Sequence, residues 1–388
     1  MKRSTDRILT THCGSLARPK DLLEMTRAKL HGESYDREAF DERIRSSINE
    51  LVAKQVECGV DIVNDGEQSK DSFYAYARER LGGLEETHPG TGSSRQWSQE
   101  IRAFPEYYQD YYFTPRSKGR VGPDVVMVCT GPISYIGQAA VQADIDNLKS
   151  ALKGLKYEEA FIPATAPRAL SGNQYYKTDE EYMQALSEAM HVEYKMITDA
   201  GFLLQIDDPA LTNFYTRDDT LSPSEQRRRA ESYVEALNYA LKGIDPARVR
   251  FHTCYGINEG PRVYDVPLSE LIDIMYKINC QAYSFEAANA RHEHEWKVFK
   301  DHPLPDGKLI IPGIITHTSN VVEHPEAIAD RIERFATYCG RENVIAGADC
   351  GFSSQSSFTP DIHPTVVWAK FQAMRDGAEL ATKRLWGN

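Results

Sequence analysis

Residues Val249–Gly256, reading VRFHTCYG, decide how this chain is read. A Pro-Ala-Arg turn at 246–248 comes first, and the β-branched and aromatic residues after it predict a strand. Side chains two apart on a strand share a face, so His252 and Cys254 point together. An imidazole beside a thiol at a strand end is a donor pair that zinc favours. A packed histidine and a buried free cysteine would leave the same trace, so the pair needs company.

Two later stretches supply it. In Gln281–Ala290 (QAYSFEAANA), Glu286 ends an apolar run, where a carboxylate is costly unless paired or bound to a cation. In Val344–Phe352 (VIAGADCGF), Cys350 ends another. These side chains converge only if their strands are parallel and closed into one sheet. A barrel of alternating strands and helices does this, because its active-site residues come from the C-terminal ends of several strands. His252, Cys254, Glu286 and Cys350 then form a tetrahedral zinc set.

The rest of the chain has the same alternation. Strands are expected at Ile8–Ser15, Val60–Asn64, Val125–Thr130, Phe202–Ile206 and Leu309–Ile315. Helices are expected at Tyr35–Cys58, Gln138–Lys153, Asp179–Ala200, Pro223–Leu241, Leu268–Ile278 and Pro325–Cys339, with a last one from about Pro364. With Phe161–Ala164 there are nine strand candidates for eight barrel places; 161–164 is the weakest and reads as an accessory piece over the mouth. The expected fold is an α/β TIM (βα)8 barrel, one domain over 1–388, and a doubly wound open sheet is the second choice. Residues about 81–124 break the pattern with a polar, turn-rich stretch (Pro89–Ser94) and then Phe104, Tyr107, Tyr108, Tyr111, Tyr112 and Phe113. An insertion after a barrel strand sits on the catalytic face. Its aromatics fit a ligand cover, an oligomer contact or a local core equally well.

The spacing His-x-Cys…Glu…Cys, with Asp-Cys-Gly at the last ligand, resembles the catalytic domain of cobalamin-independent methionine synthase and the related single-barrel zinc thiol alkyltransferases. The resemblance runs from about Ile8 to Phe352. It implies that Gly14-Ser15, Gly66-Glu67 and the Asp of Gln205-Ile206-Asp207-Asp208-Pro209-Ala210-Leu211 hold the amino acid that carries the thiol. Glu67 and Asp207 would pair with its ammonium group, and Ser15 with its carboxylate. Taken singly, each residue also reads as a turn, a helix cap or a surface charge. His292-Glu293-His294-Glu295 looks metal-like but opens a helix, where alternate residues diverge. No phosphate-binding glycine fingerprint and no Gly-x-Ser-x-Gly elbow is present.

Composition narrows the class. A net charge of −12, from 45 basic and 57 acidic residues, argues against a nucleic-acid surface and offers no membrane patch. The first residues, MKRSTDRILTTHCGS, lack the apolar core of a signal peptide, and no run is long enough to span a bilayer. Seven cysteines, at 13, 58, 129, 254, 280, 339 and 350, suit reduced thiols in a cytoplasm better than a disulfide framework.

The donor set bears on the chemistry. Zinc with two thiolates and a carboxylate is a weak Lewis acid for hydrolysis, yet it strips the proton from a thiol whose free pKa is about 8.5. The expected activity is thiol S-alkylation, with methyl transfer to homocysteine or a similar thiol first. Epoxide opening by a thiol, as in the epoxyalkane–coenzyme M transferases, is the alternative within that chemistry, and a binding protein with structural zinc is the alternative outside it. A homo-oligomer is compatible with all three.

The resemblance also implies where this chain departs. Family synthases carry a tryptophan a few residues beyond the Gly-Pro of the third strand, on which the folate pterin rests. Here Gly131-Pro132 leads to Ile133-Ser134-Tyr135-Ile136-Gly137-Gln138, with Tyr135 the only ring. The family's catalytic histidine, in Gly-Val-Tyr-Asp-Ile-His-Ser, meets Gly313-Ile314-Ile315-Thr316-His317-Thr318-Ser319, so His317 comes one residue early. That offset turns the ring to the other face of a strand unless a bulge restores it. The N-terminal barrel of the two-barrel synthases has no counterpart in this sequence. Polyglutamylated methyl-folate is therefore expected to be a poor donor, with a smaller methyl or alkyl donor, or a methyl carried by another protein, in its place. Rapid methionine formation from methyl-folate and homocysteine by the purified protein would overturn this.

Overall fold

The structure, a computed structural model, describes residues 1–87, 98–113, 119–123, 126–167, 171–212, 221–256 and 260–387. The predicted Pro89–Ser94 stretch lies outside them. Eight parallel strands form one sheet: β1 (Leu9–Thr10), β2 (Ile62–Asn64), β5 (Glu159–Thr165), β7 (Leu203–Asp207), β8 (Val249–His252), β9 (Ala282–Phe285), β10 (Leu309–Ile315) and β11 (Ile345–Ala348). Their order is β1-β11-β10-β9-β8-β7-β5-β2, and a Thr11–Ile62 bridge joins the two ends. The expected TIM-type barrel is the observed fold.

Strand alternation sorts the barrel into layers. Leu9, Ile62, Phe161, Leu203, Ala282, Leu309, Ile311 and Ile345 make one apolar cluster. Residues two or four further along the same strands include Thr11, Cys13, Gln205, Asp207, Ser284, Glu286 and Asp349, all buried. The barrel therefore has an apolar floor and a polar mouth. Between them lies Arg250, fully buried, donating from Nη1 to Thr11 Oγ1 at 2.9 Å and from Nη2 to His12 O at 3.0 Å. Its guanidinium carbon stands 4.1 Å from the Phe161 ring centroid.

The outer helices follow from apolar stripes. Helix Arg37–Glu57 buries Phe40, Ile44, Ile48, Leu51 and Val52, starting from Asp36, whose side chain caps Ala39 N. Helix Pro223–Ala240 starts from a capping box of Ser222 and Glu225.

Two strand assignments exchange places. Val125–Thr130, expected in the barrel, belongs to β4 (Val126–Tyr135), which pairs antiparallel with β3 (Leu81–Thr87) and parallel with β6 (Ser171–Asn173) in a separate small sheet. Phe161–Ala164, expected as an accessory piece, is the core of β5 and lies between β2 and β7. Burial gives the reason. β5 is buried from Ala160 to Thr165, whereas β4 is partly exposed along most of its length. The small sheet is fastened to the barrel wall by Arg80, which reaches Asp144 at 2.6 Å and Glu193 at 3.3 Å, and by Tyr76, which donates to Glu193 at 2.6 Å. The 81–124 insertion meets the loop that follows β11: Val121 N donates to Ser356 O, and Phe358 N to Gly119 O.

One backbone approach sets the spacing at the mouth. The β10–β11 register is irregular between Gly313 and Ile315, which pair with Gly347 and Ala348. A Cβ at Gly313 would come within 2.7 Å of the Asp349 backbone N and Cα. Gly313→Ala should therefore cost about 1–3 kcal/mol of stability by overpacking and displace Asp349. An unchanged denaturation midpoint would show that the strands can part without cost.

Candidate active site

The C-terminal ends of β8, β9 and β11 carry the predicted metal residues. His252 ends β8, Cys254 lies two residues on, Glu286 follows β9 directly, and Cys350 lies two past β11. One ligand atom each from His252, Cys254 and Cys350 lie within 4.8 Å of one another, and all three residues are buried. His252 Nδ1 stands 3.1 Å from Ser284 Oγ and 3.6 Å from Cys13 Sγ, while Nε2 is buried with no hydrogen-bond partner. A buried polar atom left unmatched is costly. An imidazole oriented through one nitrogen with the other bare beside two thiols suits a soft-to-borderline cation such as zinc. Burial, with the charges of Arg250 and His317, pushes the His252 imidazole down to about 3, so it is neutral as a ligand must be. The hydrogen bond with Cys254 and burial push the Cys350 thiol up.

Glu286 stands beside this trio, in a second group with His317 and Asp349 whose ligand atoms also lie within 4.8 Å. Its Oε1 accepts from Tyr255 N at 2.9 Å. Its Oε2 accepts from Asn289 Nδ2 at 2.9 Å and lies 2.7 Å from Arg262 Nη1. Asp349 Oδ1 accepts from Ala287 N and Ala288 N, both at 2.7 Å, which ties the β9 loop to the β11 loop. His317 is buried, and β10 ends at Ile315, so strand alternation no longer governs its direction. The register irregularity just before it and the end of the strand turn its ring toward the two carboxylates.

Ser15 and Glu67 lie in the loops after β1 and β2, Asp207 ends β7, and all three are buried. Ser15 Oγ is 3.1 Å from Ser354 Oγ. Glu67 takes a left-handed backbone, φ +56, at the end of a tight turn in which Asn64 accepts from Gly66 N and Asp65 from Glu67 N. Strained non-glycine residues of this kind cluster at functional sites. Glu67 Oε2 and Gln205 Oε1 are buried without partners. Asp207 Oδ1 accepts from Gln205 Nε2 at 2.6 Å. Burial lifts Glu67 to about 7, and burial together with Glu67 lifts Asp207 well above the usual carboxylate range. Two adjoining buried acids, with spare acceptors on Glu67 and Gln205, favour a further positive group between them.

Several residues had no signal in the sequence. Arg18 donates to Ser353 O at 2.8 Å and to Glu67 O and Lys70 O at 2.7 Å, joining the loops after β1, β2 and β11. Lys70 is buried and reaches Pro163 O and, at 4.3 Å, the Tyr76 ring. Asp349 could have been found in Asp-Cys-Gly, where an acid precedes the ligand. The His292–Glu295 cluster is a hydrogen-bonded turn preceding a short helical turn at Glu295–Lys297, and it forms no metal group among the described residues.

The chain matches the cobalamin-independent synthase catalytic domain over residues 8–154 and 161–376. It belongs to that family. A methionine synthase of Sulfurisphaera tokodaii is 27% identical over 350 residues, spanning 88% of this chain and 85% of that protein. One from Saccharolobus islandicus (strain L.S.2.15 / Lassen #1) is 26% identical over 377 residues, spanning 97% and 95%. Among solved structures, the B12-independent methionine synthase of Shewanella sp. W3-18-1, in complex with selenomethionine, superimposes with a TM-score of 0.73 at 19% identity, covering 98% of this chain and 100% of that one. A vitamin-B12-independent methionine synthase assigned in Listeria monocytogenes gives 0.66, also at 19% identity. These two show a shared fold. Among the described residues, no helix of this family member is long and apolar enough to cross a membrane.

The His292 cluster gives a pH signature. Burial works against a charged ring, but Asp265 Oδ2 at 3.1 Å and Glu295 Oε2 at 2.9 Å outweigh it and lift His292 to about 9. Its stabilising contribution is fully present below about 6.5 and is lost as pH rises toward 9. His292→Gln should be less stable at pH 6 and lack this part of the alkaline decline. Parallel melting curves of the two proteins from pH 6 to 10 would sink the assignment.

Proposed function

We propose that this protein is a zinc-dependent thiol S-methyltransferase acting on homocysteine or a closely similar amino-acid thiol. The observation that carries the reading is one mouth holding two complementary half-sites. His252, with its bare Nε2, and the thiols of Cys254 and Cys350 form a soft donor set, with the Glu286 carboxylate beside it as the proposed fourth ligand. Asp207 with Glu67 and Gln205, each of the last two holding a buried oxygen that has no hydrogen-bond partner, form an acceptor set. An amino-acid thiol has a group for each, and the family's methionine synthases point the same way.

Zinc in that donor set would lower the pKa of a thiol and keep its sulfur nucleophilic near neutral pH. The remaining work belongs to the chain. Ser284 holds the His252 ring through Nδ1. Glu67 and Asp207 take the substrate ammonium group, which relieves their mutual repulsion, and Ser15 takes its carboxylate. The pair of acids disfavours thiols with an anionic sulfonate, and so the epoxide-opening alternative. His317, flanked by the carboxylates of Glu286 and Asp349, serves as proton donor to the leaving group. Binding energy from the amino-acid end aligns sulfur, methyl and leaving group. A small or protein-carried methyl donor remains the proposed partner.

The test combines metal and thiol. About one zinc per chain is expected, with Cys350→Ser and His252→Ala losing both zinc and homocysteine binding. Homocysteine binding should release a proton, counted by calorimetry in buffers of different ionisation enthalpy. Glu67→Ala and Asp207→Ala should weaken homocysteine at least about tenfold more than they weaken 2-mercaptoethanol. A full zinc complement in the ligand variants, or no proton release, would overturn the reading. Equal losses for both thiols would remove the two carboxylates from the ammonium role.

A further inference from the structure

His12 is fully buried, and nothing in the proposed reaction uses it. Its neighbour Cys13 meets His252 inside the barrel at 3.6 Å. His12 instead meets two helices of the outer layer, Gln55 of Arg37–Glu57 and Phe371 of Pro364–Trp386. Gly14 N donates to its Nδ1 at 3.3 Å, so the proton of the neutral ring is on Nε2. That nitrogen stands 2.9 Å from Gln55 Oε1, to which it donates. Gln55 carries the link onward: Oε1 also accepts from Asn64 N at 3.0 Å, and Nε2 donates to Asn64 O at 2.8 Å. Burial lowers the ring to about 4, against the pull of Gln55, so it is uncharged near neutral pH.

Each end of this link carries one lip of the mouth. Gly14 leads directly to Ser15, and its backbone lies against Glu67: a Cβ at Gly14 would come 2.9 Å from Glu67 Oε1 and 2.9 Å from Pro163 Cγ. Asn64 ends β2, and its Oδ1 accepts from Gly66 N at 2.6 Å in the turn that gives Glu67 its left-handed backbone. The strands beneath fix these lips only weakly. β1 and β2 are joined by one backbone bond, Asp61 N to Thr10 O at 3.1 Å, and the Thr11–Ile62 bridge. Beyond Ser15, Leu16 N donates to Gly66 O at 3.1 Å and Arg18 to Glu67 O at 2.7 Å, which holds the far side of the two turns. His12 holds the near side.

We propose that His12 is a positioning residue for the amino-acid subsite: through Gly14 on one side and Gln55 on the other, it sets Ser15 and Glu67 at the spacing that the carboxylate and ammonium groups of the thiol substrate require. This rests on the functional reading above. A hydrogen-bonded ring between two turns acts on their separation and not on the metal. Its loss is therefore felt by a thiol that spans both turns, and not by one that lacks those groups. The two ring nitrogens have separate duties, one as acceptor and one as donor, and a neutral histidine supplies both in one rigid plane.

The experiment uses the full chain loaded with zinc, with homocysteine and 2-mercaptoethanol as the two thiols. His12→Phe keeps a ring and loses both bonds. It should weaken homocysteine about tenfold, with 2-mercaptoethanol affinity and zinc content as in the parent. His12→Asn, which can keep the acceptor for Gly14, and His12→Gln, which can keep the donor to Gln55, should each fall between. Gln55→Leu should reproduce the loss from the far end of the link. Combined with His12→Phe it should lose no more than the larger single change, because both break one chain. Unchanged homocysteine affinity in His12→Phe overturns the inference. So do equal losses for the two thiols, zinc lost with the ring, or losses at His12 and Gln55 that add. Should His12→Phe fail to fold, His12→Asn and His12→Gln decide, and parent-like selectivity in both overturns the inference. A parent that binds homocysteine no better than 2-mercaptoethanol overturns the functional reading and this inference together. A parent that prefers homocysteine, with His12 variants equally selective, overturns this inference alone.

Discussion

Closure of a parallel sheet is the constraint on which the rest of this molecule depends. Once eight strands share one direction and one inner face, residues far apart in the chain must end at the same mouth. His252, Glu286 and Asp349 need no local motif to meet, because each lies at or just past the end of its own strand. The apolar floor of Leu9, Phe161, Leu203 and their neighbours anchors those ends from below. The same geometry concentrates polar groups in a space with little water, where any imbalance of charge is amplified.

That balance explains residues that look unconnected. Glu67, Asp207 and Glu286 bring negative charge into the mouth, and the thiols add more when ionised. Arg250, Arg18, Lys70 and Arg262 answer it from inside or from the rim, and each is buried. Arg250 shows the cost of that position: burial pulls its guanidinium down to about 10 even with Cys13 and Asp207 nearby. The cations also tie loops together, Arg18 by three backbone carbonyls and Arg262 by its ion pair with Glu286. Charge compensation and loop placement are therefore one design here.

The barrel was legible in the sequence because strand and helix periods alternate over most of the chain, and the candidate metal residues because each closes an apolar run. What misled was local. Val126–Thr130 is an apolar run of barrel character, yet it pairs in a half-exposed outer sheet, which strand composition alone does not reveal. Phe161–Ala164 contains Pro163, a residue that usually disqualifies a central strand, yet it pairs on both sides, and Lys70 takes up the Pro163 carbonyl there. His317 was judged by strand parity at a point where the strand has already ended. Arg18, Lys70 and Arg262 were invisible because ion pairs between loops follow no period. The acids Glu67 and Asp207 were found by resemblance, but the spare acceptors beside them needed coordinates.

The barrel is not equally knit all the way round. β5 and β7 pair over five residues and β9 and β10 over four, while β1 meets β11 over two and reaches β2 through one bridge. At that seam a side chain takes over part of the backbone's work. Asp61 Oδ2 accepts from Thr10 N at 2.9 Å and from Arg7 Nη1 at 2.7 Å, and Thr10 Oγ1 donates to Gly59 O at 2.7 Å. The wall is thus laced along one line by a carboxylate beside a single backbone bond, from Asp61 N to Thr10 O at 3.1 Å, and the Thr11–Ile62 bridge. Ser15 and Glu67 stand on the two lips of that line, so the most sparsely paired edge of the cylinder is also the edge proposed to receive the substrate's charged end.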